Sequence, residues 1–77
     1  MQDLEIAIKR VMADVLDLDV KGIDDDTSVD NTPRWDSANH IHLVLALEDE
    51  FAVLFDVAEL ESMMSFFDIM QVMRAKL

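Results

Sequence analysis

Cysteine is absent from the sequence, so neither a disulfide nor a thiolate metal site can staple the fold. No apolar run approaches the length of a membrane span. The N-terminus (Met1-Gln2-Asp3-Leu4-Glu5) has no basic stretch leading into an apolar one. The expectation is a cytoplasmic protein without membrane insertion. Cations are scarce as well: six Lys and Arg stand against seventeen Asp and Glu, a net charge of -11. Such a surface repels nucleic acid and anionic membranes, whose binding depends on cationic side chains. It attracts basic protein surfaces and speeds encounter with them, although acidity also serves plain solubility. Repeats, low-complexity tracts and signs of a second domain are missing. The 77 residues therefore read as one domain, 1–77, with one modest core. A domain of this size buries only about 60% of its unfolded surface.

With 52% of residues apolar, at regular spacing, the chain should nevertheless fold. Leu4, Ile8, Val11 and Val15 follow helical spacing, with Met12 and Leu16 widening the stripe, so a first helix is expected from about Gln2 to Leu18. Gly22 marks a break. Residues 19–36, rich in Asp, Thr, Ser and Asn, read as a long loop anchored by Val20, Ile23, Val29 and Trp35. A loop this long in a compact domain is often functional. A second helix should open at Asp36 or Ser37, both good N-caps, and run to about Phe51. An apolar connector (52–56) leads to a short helix over Val57 to Ser62. A last helix starts near Ser65, with Ser65 and Asp68 spaced as a capping box. It should bury Phe66, Ile69, Met70 and Met73, and its final turn carries Arg74 and Lys76, which suit the negative end of the helix dipole. The fold class is all-α: three main helices plus a short third helix, with the long loop between helices 1 and 2.

The second helix carries more apolar surface than one core face needs. Leu43, Leu47 and Phe51 make one face, while Ala38, Ile41, Leu45 and Glu48 make another. If the first packs inward, the second is a partly exposed apolar stripe rimmed by acids, which suggests a partner site. A central helix buried almost all round is the competing reading. Ser37, at the head of this helix, sits where backbone N–H groups and the dipole favour an attached phosphate. Capping is the commoner reason for Asp-Ser before an apolar helix.

Catalytic and metal-binding patterns are weak. Ser37 and His40 have dyad spacing but no nucleophile elbow. His40 and His42 point to different sides of a helix and make a poor metal pair. A calcium loop read from Asp17 puts Lys21 and Ser28 at ligand positions, and one read from Asp24 lacks the glycine. No metal site is expected; the Asp cluster reads as a solvated face able at most to hold divalent ions loosely. Met63 and Met64, where the short helix meets the last one, have soft side chains able to line an adaptable pocket.

Asp36-Ser37-Ala38 followed by Leu43-Val44-Leu45-Ala46-Leu47-Glu48-Asp49-Glu50-Phe51 resembles the acyl carrier protein family. That family has Asp-Ser-Leu at the start of its second helix, then an apolar run ending in Ala-Leu, three acids and Phe. The likeness continues through Ala52-Val53-Leu54-Phe55, where the family usually has Gly and a short apolar turn, and it spans nearly the whole chain. The resemblance implies a non-enzymatic, monomeric carrier. A phosphopantetheinyl transferase would join 4′-phosphopantetheine covalently to Ser37, with Asp36 helping to place metal and transferase. The arm's thiol would hold acyl or aminoacyl groups as thioesters for loading and acyl-using enzymes with basic docking surfaces. Ala38, Ile41, His42, Leu45, Glu48 and Asp49 match positions that meet partners, and Leu47, Phe55 and Met63 would enclose small apolar cargo. The alternative is a non-covalent interaction module in which Ser37 only caps the helix.

The departures are informative. Ala38 replaces the usual Leu, and Arg34-Trp35 stands where the common form has Leu-Gly. Asn39, His40 and His42 replace residues that are commonly acidic or small, and the two His should make this helix face less negative near pH 6.5. Trp-Asp-Ser followed by Asn-His-Ile resembles specialised carriers of secondary metabolism or envelope biosynthesis more than the carrier of housekeeping fatty acid synthesis.

Overall fold

A computed structural model describes residues 3–77, and the expected start of the first helix at Gln2 lies outside them. Four α-helices follow in order: α1 (Leu4–Leu16), α2 (Ser37–Phe51), α3 (Val57–Ser62) and α4 (Phe66–Lys76). The fold is a small all-α bundle, as the periodicity predicts. No helix among the described residues is long and apolar enough to cross a membrane.

α1 starts where Asp3 accepts a hydrogen bond from the Glu5 N–H at 3.0 Å, satisfying one orphan donor of the first turn. Its buried line is Ile8, Met12 and Leu16, with Leu4, Val11 and Val15 half-buried beside it. Ile8 is buried as expected, but the line continues through Met12 and Leu16, which were expected only to widen the stripe. The helix stops at Asp17, whose left-handed backbone (φ 56°) turns the chain, rather than continuing to Leu18. Leu18 then folds back, its N–H donating to the Ala13 carbonyl at 3.0 Å. Gly22 keeps an ordinary negative φ with open space around it, so the break does not depend on a glycine.

Residues 19–36 are far from a bare connector. A single 3₁₀ turn (Val20–Gly22) is capped by Asp19, and the carboxylate of Asp24, the hydroxyl of Thr27 and the amide of Asn31 each accept from a nearby backbone N–H. The loop also pairs with the α3–α4 junction. The Val29 N–H donates to the Met64 carbonyl at 3.0 Å, and the Phe66 N–H to the Thr27 carbonyl at 2.8 Å. Ile23 and Trp35 anchor the loop as expected, each 2% exposed, and Val29 is half-buried. Val20 does not: it opens the 3₁₀ turn on the outside, beside a surface concavity shared with Arg10 and Glu50.

α4 buries Phe66, Ile69, Met70 and Met73, and Ser65 caps it by accepting from the Asp68 N–H at 3.0 Å. The complete capping box lies elsewhere, at α3. There the Asp56 side chain accepts from the Glu59 N–H and the Glu59 side chain from the Asp56 N–H. Ile8, Met12, Leu43, Leu47, Met63 and Phe66 are among the side chains that meet in one core cluster. Lys9 closes the α1–α4 seam, with its ammonium 5.3 Å from the Phe66 ring centroid.

Candidate functional site

Asp36 and Ser37 stand at the junction between the loop and α2. Asp36 is the N-cap: its backbone is extended and its carboxylate accepts from the Asn39 N–H at 2.9 Å. Ser37 is the first helical residue and is exposed. The sequence left open which of the two caps the helix, and Asp36 does. The carboxylate reaches forward to the third residue of the helix, which leaves the Ser37 side chain outside the cap. Asn39 secures the approach from the other side, its amide donating to the Arg34 carbonyl at 2.7 Å.

His40 departs from its expected place. It is 6% exposed rather than part of the solvated face. Its Nδ1 lies 2.9 Å from Trp35 Nε1, and its Nε2 lies 2.8 Å from the Leu60 carbonyl. Both ring nitrogens are engaged, so neither is left to take a proton from Ser37. His42 is exposed. Only one of the two His therefore lies on that face. Among the described residues no three acidic or imidazole side chains gather as a metal set.

The two faces of α2 separate cleanly. Leu43 and Leu47 are fully buried and Phe51 is half-buried against them, whereas Ile41 and Leu45 are 45% and 56% exposed. Ala38, His42 and Asp49 share that exposure, while Glu48 is half-buried. The Glu48 carboxylate accepts from the Phe55 N–H at 2.8 Å, which commits it to holding the α2–α3 connector. That connector and the first residue of α3 expose two large apolar side chains the sequence reading did not single out: Leu54 at 80% and Val57 at 71%. An apolar run gives no phase by itself, so nothing in the sequence marks which of its members face outward.

A cavity of about 320 Å³ adjoins Ser37, lined by Val29, Trp35, Asp36, Ser37, His40 and Met64. The three residues expected to enclose cargo do not line it. Leu47 and Met63 are fully buried core residues. Phe55 is half-buried, with the Lys76 ammonium 5.6 Å from its ring centroid. Larger but more open concavities lie over α1, at Arg10 and Asp14, and over the acidic loop. They lie apart from Ser37, and the cavity beside it is the more relevant because it joins an exposed hydroxyl to an apolar recess. No family model matches the chain.

Proposed function

We propose that this chain is an acyl carrier protein whose Ser37 bears a 4′-phosphopantetheine arm. The observation that carries the reading is the setting of Ser37: an exposed hydroxyl on the first residue of α2, freed from capping by Asp36, beside a largely apolar cavity. The first turn of α2 offers backbone N–H groups and the positive end of a fifteen-residue helix to an attached phosphate. When attached, the arm supplies a thiol that holds acyl or aminoacyl groups as thioesters. Ala38, Ile41, His42, Leu45 and Asp49 present a surface on which partner enzymes dock. The net charge of -11 favours partners with basic rims, the transferase among them. A specialised lipid, polyketide or envelope pathway fits the Trp35-Asp36-Ser37 sequence better than housekeeping fatty acid synthesis.

The test is direct. Incubation with coenzyme A, Mg²⁺ and a broad-specificity phosphopantetheinyl transferase adds one arm to the intact mass, and Ser37→Ala abolishes the gain. No gain with any transferase overturns the proposal. The exposed Ile41 and Leu45 support a second reading, a docking module without the arm. It requires partner affinity to be indifferent to Ser37→Ala.

A further inference from the structure

His40 is buried at the head of α2, on the side away from Ile41 and Leu45, and carrying an arm on Ser37 gives it no task. Its bonding pattern is nevertheless fully determined. An indole N–H can only donate, so His40 Nδ1 accepts from Trp35. The hydrogen of the neutral ring then sits on Nε2 and is donated to the Leu60 carbonyl, which can only accept. One tautomer satisfies both neighbours. The resulting chain, Trp35 to His40 to Leu60, ties together the end of the loop, the first turn of α2 and the end of α3.

α3 depends on such ties. It has six residues, none of them buried. Isolated helices shorter than about 12 residues are marginal in water. A second side-chain tie, an ion pair, joins Glu59 to Lys76 at 2.9 Å, on the α4 side. The His40 bond is the one that faces Ser37. Trp35 and His40 both line the cavity beside that hydroxyl, together with Met64, just beyond α3.

We infer that His40 is a positioning residue for Ser37, holding the Trp35 indole as one wall of the adjoining cavity and clamping the end of α3 beside it. What the cavity receives rests on the carrier reading; the clamp does not.

The unmodified protein is compared with His40→Ala, His40→Gln and Trp35→Phe. Trp35 is the only Trp, so indole emission reports on this site alone. In His40→Ala the emission shifts to the red, and amide exchange across residues 57–62 rises about tenfold, as loss of the part-buried hydrogen bond to the Leu60 carbonyl implies, while α1 keeps its protection. Gln can accept from the indole and donate to the carbonyl, so His40→Gln moves both readings back toward the parent. Equal acceleration in α1 and α3, or no change in emission and α3 exchange, overturns the clamp. Trp35→Phe keeps an aromatic ring but removes the donor, which covers the case in which His40→Ala does not fold. Ring ¹⁵N shifts then show His40 as a single Nε2–H tautomer in the parent and in Trp35→Phe, where the Leu60 carbonyl still requires that hydrogen, with the Nδ1 signal displaced by loss of the indole donor. A parent ring with its hydrogen on Nδ1 overturns the assignment. Loading from coenzyme A separates the two proposals. A parent protein that takes no arm sinks the carrier reading, while emission and exchange still judge the clamp. A parent that loads beside a His40→Ala variant of equal KM and kcat overturns positioning; a raised KM, rescued by Gln, supports it.

Discussion

The Phe66 N–H donates to the Thr27 carbonyl at 2.8 Å, joining the middle of the long loop to the first residue of α4. With the bond from Val29 to Met64, this makes a short antiparallel clasp that fixes the loop against the end of the bundle bearing Met63 and Met64. Thr27 is 8% exposed, and its hydroxyl also accepts from the Asp24 N–H. Thr27→Val keeps the shape and deletes that acceptor, stranding a part-buried donor. The expected loss is about 1 kcal/mol in urea unfolding, with an unchanged m-value. A loop serving only as a spacer would tolerate the change without loss.

The clasp also shows where sequence reading stops. α2 and α4 were legible because their apolar residues repeat with the helical period and an Asp or Ser stands at each head. Pairing between residues 27–29 and 64–66 leaves no period in either segment. His40 was misplaced for a related reason. A polar side chain inside an apolar helix is assigned to the surface by default, and its burial depends on two partners, Trp35 and Leu60, one of them twenty residues away. The exposed hydroxyl of Ser37 was legible from its position, whereas the cavity beside it was not. That cavity takes walls from the loop, α2 and the α3–α4 junction at once.

Capping by Asp36 separates two roles that the sequence runs together. Asp36→Ala removes the acceptor for the Asn39 N–H and should cost about 1 kcal/mol, whereas Ser37→Ala should stay within about 0.5 kcal/mol of the parent. Asp36→Asn keeps a good cap but loses the charge. Under the carrier proposal it retains parental stability and loads more slowly. Thermal unfolding and intact-mass time courses on the same three variants read both quantities. Equal losses from Asp36→Ala and Ser37→Ala would reject the capping assignment.

The two sides of α2 should respond differently to the same truncation. Leu47 is fully buried, so Leu47→Ala opens a cavity and should cost about 2–5 kcal/mol. Leu45, two residues earlier, is 56% exposed, and Leu45→Ala should change stability by no more than about 0.5 kcal/mol. If Leu45 serves partners, its truncation weakens their binding in titration calorimetry while the unfolding midpoint stays put. A large stability loss from Leu45→Ala would mean that this face is packed.

Glu59 links acid stability to α3. The Asp56 N–H and then the Lys76 ammonium bond its carboxylate, and together they outweigh desolvation and hold its pKa below the ordinary glutamate value. A carboxylate lowered in the folded state binds protons more readily when unfolded. Its contribution is therefore present above the unfolded pKa and lost as pH falls through the folded one. Glu59→Gln should lower the unfolding midpoint at neutral pH, with the gap closing as the pH falls below the ordinary glutamate range. A gap independent of pH would show that the ionised form is not what α3 uses.

Ala52 ends α2 in the left-handed region, at φ 55° and ψ 46°, where a Cβ crowds the following carbonyl. The chain tolerates this because the Ala52 N–H still closes the helix onto the Glu48 carbonyl and the Val53 N–H reaches the same oxygen. Glycine has no Cβ to crowd, at the cost of a more disordered unfolded chain. The balance favours Ala52→Gly by about 0.5–1 kcal/mol, since the left-handed strain of about 1–2 kcal/mol exceeds that entropy. Ala46→Gly, in the interior of the same helix, has no strain to relieve and should destabilise by about 1 kcal/mol. Opposite signs for one substitution six residues apart, measured by chemical unfolding, test the backbone geometry without disturbing Ser37. A destabilising Ala52→Gly would place this residue in an ordinary helical conformation and move the end of α2 with it.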